Sequence, residues 1–150
     1  MTAAAAPAHP GYRATVSALA AGQVLSWAAL YYGFSSFVLP MQRDLDWSKS
    51  TLMGAFTLAL AVWGAATYAA GAAIDRGHGR VLMTGGALLA GAGFALWSVA
   101  AQPWVLYAAM ALLGASMAMT LYEPAFNVLT QRYPLKYREA ITALTLVGGF

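Results

Sequence analysis

Apolar residues run almost unbroken through four stretches, and polar residues collect between them. The runs extend about Ala14 to Leu39, Lys49 to Ile74, Val81 to Ala101 and Trp104 to Thr130. Each is long enough for a membrane-spanning helix, which needs roughly 20 residues. A further apolar run begins near Glu139 and reaches Phe150. It is shorter than a span, so it predicts an incomplete fifth helix, with further helices of the same protein completing it. Met1 to Arg13 holds an Ala/Pro-rich stretch without hydrophobic period, and a disordered tail is expected there. Ala18-Leu19-Ala20 resembles a signal-peptide cleavage site, but the apolar run continues past it to Pro40, which favours a retained helix.

The junctions carry local signals. Ser48 is placed to cap the second helix. Pro103 suits the first turn of the fourth, where its missing N–H is not needed. In the third run Ala87, Gly91 and Ala95 recur every four residues. That spacing predicts a small-residue face for close helix contact.

Composition narrows the class. The chain is 61% hydrophobic and 9% charged, with net charge +3. Soluble domains carry about 25% charged residues, so this is an integral membrane protein. Its cations sit in loops rather than in one patch, which excludes a nucleic-acid partner. It has no cysteine, and its two histidines, His9 and His78, do not make a metal centre. No nucleotide loop and no nucleophile with a positioned base occurs, so neither an enzyme nor a cofactor is expected. The partners expected are the lipid bilayer and a small-molecule substrate.

The most polar segment between the second and third runs reads Gly-Ala-Ala-Ile-Asp-Arg-Gly-His-Gly-Arg, from Gly71 to Arg80. It predicts a tight hairpin between two spans. Gly71, Asp75, Arg76 and Arg80 resemble the loop signature of the major facilitator superfamily, found between its second and third helices. The segment departs from that signature at His78 and Gly79. Tyr31-Tyr32-Gly33-Phe34, Asp46-Trp47-Ser48, Gly54-Ala55-Phe56 and Tyr122-Glu123-Pro124-Ala125-Phe126 resemble bacterial monocarboxylate and oxalate/formate carriers. The resemblance implies an all-α, twelve-helix transporter of two six-helix halves. Substrate binds between the halves, and the first and fourth helices of each half line the cavity. This chain then supplies the first four helices and part of the fifth. Rocking alternating access, driven by an ion gradient or by exchange, is implied with it.

Charge sets orientation. Alternating spans place Arg13, Arg76, Arg80, Arg132, Lys136 and Arg138 on one side and Arg43 and Lys49 on the other, which accounts for all eight cations. The positive-inside rule makes the N-terminus cytoplasmic, and an inner cell membrane is expected. Trp47, Trp97, Trp104 and Tyr107 mark the outer interface, and Tyr12, Tyr133 and Tyr137 the inner one.

Glu123 is the sharpest candidate. An acid inside a span faces protein or a wet cavity and marks a substrate or proton pathway. Ser116, Thr120, Glu123 and Asn127 follow at offsets of four, three and four. On a continuous helix they share one polar face. Pro124 has no N–H, so the Thr120 carbonyl loses its helical partner and the helix kinks. In the first span Gln23, Trp27, Tyr31 and Phe34 share a face, with the first three suited to a small organic ligand, while Tyr32 points elsewhere. Thr57, Trp63 and Tyr68 of the second span form no consistent face. Arg132, Arg138 and Glu139 are expected beside Asp75 as a charge cluster at the gating loop. The reading is a secondary transporter of a small organic solute, for which the resemblance implies a monocarboxylate, with proton coupling or exchange. The alternative is a small four-helix membrane protein acting as an oligomeric exporter or as a non-transporting subunit.

Overall fold

The computed structural model describes residues 11–148, and no strand occurs among them. Seven α-helices follow in order: α1 (Tyr12–Ser26), α2 (Gly33–Leu45), α3 (Lys49–Ala73), α4 (Gly79–Ser98), α5 (Pro103–Thr120), α6 (Tyr122–Arg132) and α7 (Tyr137–Gly148). A π-helical turn, Trp27–Tyr32, joins α1 to α2, and a second, Ile74–His78, follows α3. Three continuous runs are long and apolar enough to cross a membrane: Tyr12–Leu45, Lys49–Ser98 and Pro103–Arg132. The middle one has 50 residues, more than two spans need. It folds back at Gly77, where φ is +85°.

Side-chain neighbours fix the directions. Gly54 faces Tyr107 and Gly114 faces Ala59, so α3 and α5 run parallel. Gly86 faces Met119 and Thr120, while Gly93 faces Leu113, so α4 runs antiparallel to α5. Phe34 and Phe37 meet Trp97 near one end, and Tyr12 meets Tyr133 near the other. Four spans therefore alternate. The turns at Asp46–Ser48 and Val99–Gln102 lie at one end, and those at Gly77 and 133–136 at the other.

Local chemistry explains the boundaries. Ser48 Oγ accepts the Thr51 N–H at 3.1 Å, and Pro103 opens α5. Gly77 takes the left-handed backbone that a residue with a Cβ rarely adopts. Several expectations are corrected. The first span does not stop at Leu39: helix continues through Pro40 to Leu45 and ends where Asp46 takes φ +53°. Val38 and Met41, on either side of Pro40, are both buried, and that packing carries the helix past the proline. Of the tail expected at Met1 to Arg13, residues 1–10 lie outside the described residues, and Tyr12 and Arg13 belong to α1. The last helix begins at Tyr137 rather than Glu139, and residues 149–150 lie outside the described residues.

The fourth span is not one helix from Trp104 to Thr130. It breaks at Leu121, whose backbone is extended (φ −74°, ψ −162°), and resumes at Tyr122. Pro124 then sits in the first turn of α6, where a missing N–H does little harm. The predicted kink is thus a full break, three residues before the proline.

Between membrane helices apolar burial gains little, since lipid is equally apolar, and close packing decides. α5 lies between α3 and α4. Gly114 lies directly on the backbone of Ala59. A Cβ at Gly86 would come within 2.6 Å of Met119, and one at Gly93 within 2.7 Å of Leu113. The expected packing face of Ala87, Gly91 and Ala95 is instead exposed. Close contact uses Gly79, Gly86 and Gly93, all buried. A seven-residue repeat keeps to one side of a helix better than a four-residue one, which drifts around it.

Two cores result. One holds Leu30, Phe34, Leu52, Ala55, Leu106, Met110, Leu113 and Leu121, towards the Asp46 end. The other holds Ala20, Ala125, Leu129, Tyr133, Ala140 and Leu144, towards the Gly77 end.

Candidate substrate pathway

The fourth span breaks at Leu121, and the first span widens into its π-helical turn, Trp27–Tyr32, close to that break. Gln23, one turn before the π-helical segment, is 1% exposed. Its Nε2 donates to the Thr120 carbonyl at 2.8 Å. That is the carbonyl which Pro124 deprives of a helical partner, so an amide from another span replaces the lost backbone donor. A buried carbonyl left alone costs about 1–3 kcal/mol, which this bond avoids. Gln23 Oε1 and Trp27 Nε1 are also buried, and neither has a hydrogen-bond partner among the described residues. An acceptor and a donor thus sit one turn apart on the same span.

Aromatic rings surround this point. Trp27 lies 5.4 Å from Tyr31, 5.3 Å from Tyr122 and 6.0 Å from Trp63 between centroids. Tyr122 stacks on Phe126 at 5.2 Å. Tyr31 also meets Phe56 at 5.8 Å. The first-span stripe divides. Gln23, Trp27 and Tyr31 stay together beside the break, while Phe34 turns into the core between Phe56 and Trp97. Tyr32 is 61% exposed.

The polar stripe of the fourth span does not survive as one face, because the break at Leu121 resets the helical phase. Ser116 and Thr120 are buried and bonded to backbone: Ser116 Oγ to the Gly86 carbonyl at 2.9 Å, and Thr120 Oγ1 to the Ser116 carbonyl at 2.8 Å. Ser116 thereby ties α5 to α4, while the Thr120 bond stays within α5. Glu123 is exposed rather than buried, in the first turn of α6. There a carboxylate complements the helix dipole. Asn127 reaches the other way, and its Nδ2 donates to Asp75 Oδ1 at 3.1 Å.

That contact defines the Gly77 end. Gln131 Nε2 donates to Asn127 Oδ1 at 2.9 Å, extending a chain of amides from α6 to Asp75. The expected charge cluster is not assembled. Among the described residues Asp75 makes no ion pair with Arg132 or Arg138. Arg138 Nε donates to the Tyr137 hydroxyl at 3.2 Å. Arg132 lies 5.9 Å from the Tyr133 ring centroid, and Glu139 is exposed in the first turn of α7. Gly71 is helical rather than part of the turn, and Arg76 and Arg80 are exposed beside it.

Sequence reasoning missed Phe56, Trp63, Tyr122 and Gln131. Phe56 and Trp63 stand seven apart, two helical turns on one face, a signal hidden by grouping Trp63 with Thr57 and Tyr68 instead. Tyr122 and Gln131 gave no comparable signal, because their positions depend on the break.

The apolar spans and the hairpin at Gly77 agree with a family match. The family model for the Major Facilitator Superfamily matches residues 4–150. No curated protein and no solved structure matches the chain. The match takes in nearly every residue, including the Gly71 to Arg80 signature, and the chain belongs to the major facilitator superfamily of membrane transporters.

Proposed function

We propose that this chain lines the path of a secondary transporter that moves a small organic solute, a monocarboxylate, by alternating access. The carrying observation is that the fourth span breaks at Leu121 and that Gln23 of the first span, one turn before its π-helical segment, donates to the Thr120 carbonyl at that break. Irregular backbone at membrane depth is tolerated where protein or a wet cavity satisfies it. Buried polar atoms and half-buried rings at that point give a small solute both apolar surface and hydrogen-bonding groups. The cation distribution supports a cytoplasmic N-terminus in an inner cell membrane. Further helices of the same protein complete the cavity.

Glu123 is the acid of the proposed proton path. It is exposed, one residue from Tyr122 and next to the break. Exchange is the competing mode, and one variant separates the two. Glu123→Gln keeps size and hydrogen bonding but fixes the neutral form. In proteoliposomes of the intact protein, proton-driven carboxylate uptake vanishes while exchange across a preloaded membrane survives. Parallel loss of both modes assigns Glu123 to solute binding, and unchanged proton-driven uptake removes it from the path.

A further inference from the structure

The aromatic floor beside Trp27 continues towards the Asp46 end as an open groove between α2 and α3. It has a volume of about 490 Å³. That is within the roughly 300–1,000 Å³ of small-molecule sites. Its walls are apolar and aromatic, with Phe34, Val38, Leu39, Met53 and Phe56. Its polar lining is Tyr31, Tyr32, Ser35, Gln42 and Lys49, with no acidic residue. Lys49 is the first residue of α3, is exposed and lines the groove. The neighbouring cap bond from Ser48 to Thr51 fixes the backbone there. The rings are held by one another: Tyr31 lies 5.2 Å from Tyr32 and 5.8 Å from Phe56, and Phe34 stacks on Phe56 at 4.9 Å.

We infer that this groove is a loading site for an organic monoanion, with Lys49 holding the carboxylate and the Tyr31, Tyr32 and Phe56 rings flanking an apolar or aromatic body. The inference deepens the transport reading and rests on it only for the ligand's onward path past Trp27. Charge complementarity decides the class. One cation and no acid favour a single negative charge. A bare inorganic anion leaves the apolar walls unused, and a dianion leaves its second charge without a partner. A cation meets Lys49 repulsively. The Tyr31 and Tyr32 phenols and the Gln42 amide supply the remaining hydrogen bonds to carboxylate oxygens, since the Ser35 hydroxyl already donates to the Tyr32 carbonyl at 2.7 Å.

Radiolabelled benzoate binding to the intact protein in neutral detergent tests this, with benzamide as the uncharged competitor. Wild type binds benzoate saturably, and benzamide competes at least about tenfold less well, as loss of a charge-assisted bond implies. Lys49→Gln weakens benzoate by a similar factor, and Lys49→Arg restores it. Lys49 is exposed, so neither change threatens the fold. Absence of saturable binding, equal affinity for benzamide, or unaltered binding in Lys49→Gln each overturns the proposal. Nanodiscs distinguish a lipid source of the anion. If benzoate binding persists in phosphatidylglycerol as in phosphatidylcholine, the site takes a free carboxylate; if phosphatidylglycerol abolishes it, the groove belongs to a lipid headgroup and the proposal fails. Uptake measured alongside separates the two readings: transport intact with no role for Lys49 sinks the loading site alone. Benzoate bound through Lys49 with no uptake of any carboxylate by wild type sinks the transport reading alone.

Discussion

The two ends of the molecule are held together differently. Towards Asp46, large side chains interlock around α5, and Gly114 lets two backbones touch at Ala59. Towards Gly77, the core is smaller and built on Ala20, Ala125, Ala140 and two leucines. There polar side chains tie separate elements together, Tyr133 to Thr15 at 3.2 Å and Asn127 to Asp75 at 3.1 Å, while Gln131 bonds to Asn127 within α6 at 2.9 Å. Interlocked packing cannot be deformed gradually, because every displaced atom forfeits contacts. Exposed hydrogen bonds can be exchanged for water at little cost. The difference bears on where such a bundle is expected to yield first: the Asp46 end should hold as a block, and the Gly77 end should part before it. Leu121 is the seam between them.

The strongest way to break the rigid end is Gly114→Ala. The added methyl meets the backbone of Ala59, which has no rotamer to move aside. Overpacking of this kind costs about 1–3 kcal/mol, and a backbone contact belongs at the upper end. Thermal unfolding in detergent should show a clearly lowered midpoint. A midpoint unchanged from wild type would mean that α3 and α5 are not in contact there.

The seam comes next. Gln23→Leu leaves the buried Thr120 carbonyl without its donor, a loss of about 1–3 kcal/mol. Pro124→Ala restores a backbone N–H at the position from which a continuous helix would serve that carbonyl. With it, the glutamine becomes partly redundant. The double variant should therefore be more stable than the sum of the single changes, by about 0.5–1 kcal/mol. Strict additivity in a denaturation cycle would show that the two residues do not share the carbonyl.

How far the sequence discloses these regions follows from what each depends on. The spans, the Ser48 cap, the Pro103 start and the hairpin were legible, because each rests on local hydropathy or on one residue's backbone chemistry. The freed Thr120 carbonyl was legible too, since Pro124 cannot serve it. Its partner was not, because Gln23 lies 97 residues away and no local rule pairs them. The extended backbone of Leu121 undid the polar stripe: a periodicity argument assumes an unbroken helix, and one residue out of phase turns Glu123 outward. The glycine face failed for a related reason. Gly91 and its neighbours have the right residue types, but only the packing partner decides which of several small-residue rows is used. The gating charges also misled, because opposite charges brought near by topology pair only where the side chains meet, and Asn127 reaches Asp75 first.

The hairpin itself gives a smaller and sharper contrast. Gly77→Ala forces a Cβ onto a left-handed backbone, which costs about 1–2 kcal/mol, with nothing within 4 Å to worsen it. Gly71→Ala places the same methyl on an ordinary helical residue in open space, and should stabilise by about 0.5–1 kcal/mol. Both belong to the signature segment, so thermal unfolding of the pair separates the glycine that makes the turn from the one that stability does not require. Equal effects would place the turn elsewhere.

The smallest effect on stability, and the most telling for transport, is expected at Asp75. Asp75→Asn keeps an oxygen that can accept from Asn127, so the contact between α6 and the turn survives. Surface changes of this kind shift stability by no more than about 0.5 kcal/mol. What disappears is the charge, at an exposed point of the end that parts. A ligand or partner shifts a two-state equilibrium only through its different interaction with the two states. Asp75 lies at the Gly77 end, away from the rings around Trp27, so it is expected to bear on that equilibrium rather than on the solute. Turnover in proteoliposomes should fall sharply, while solute affinity stays near wild type and the unfolding midpoint barely moves. Asn127→Ala removes the amide contact and keeps the charge. If the carboxylate acts only through that hydrogen bond, Asn127→Ala lowers turnover and Asp75→Asn leaves it near wild type. If the charge itself is needed, the order reverses. Weakened affinity with turnover intact in Asp75→Asn would place Asp75 in the binding path and erase the functional distinction between the two ends.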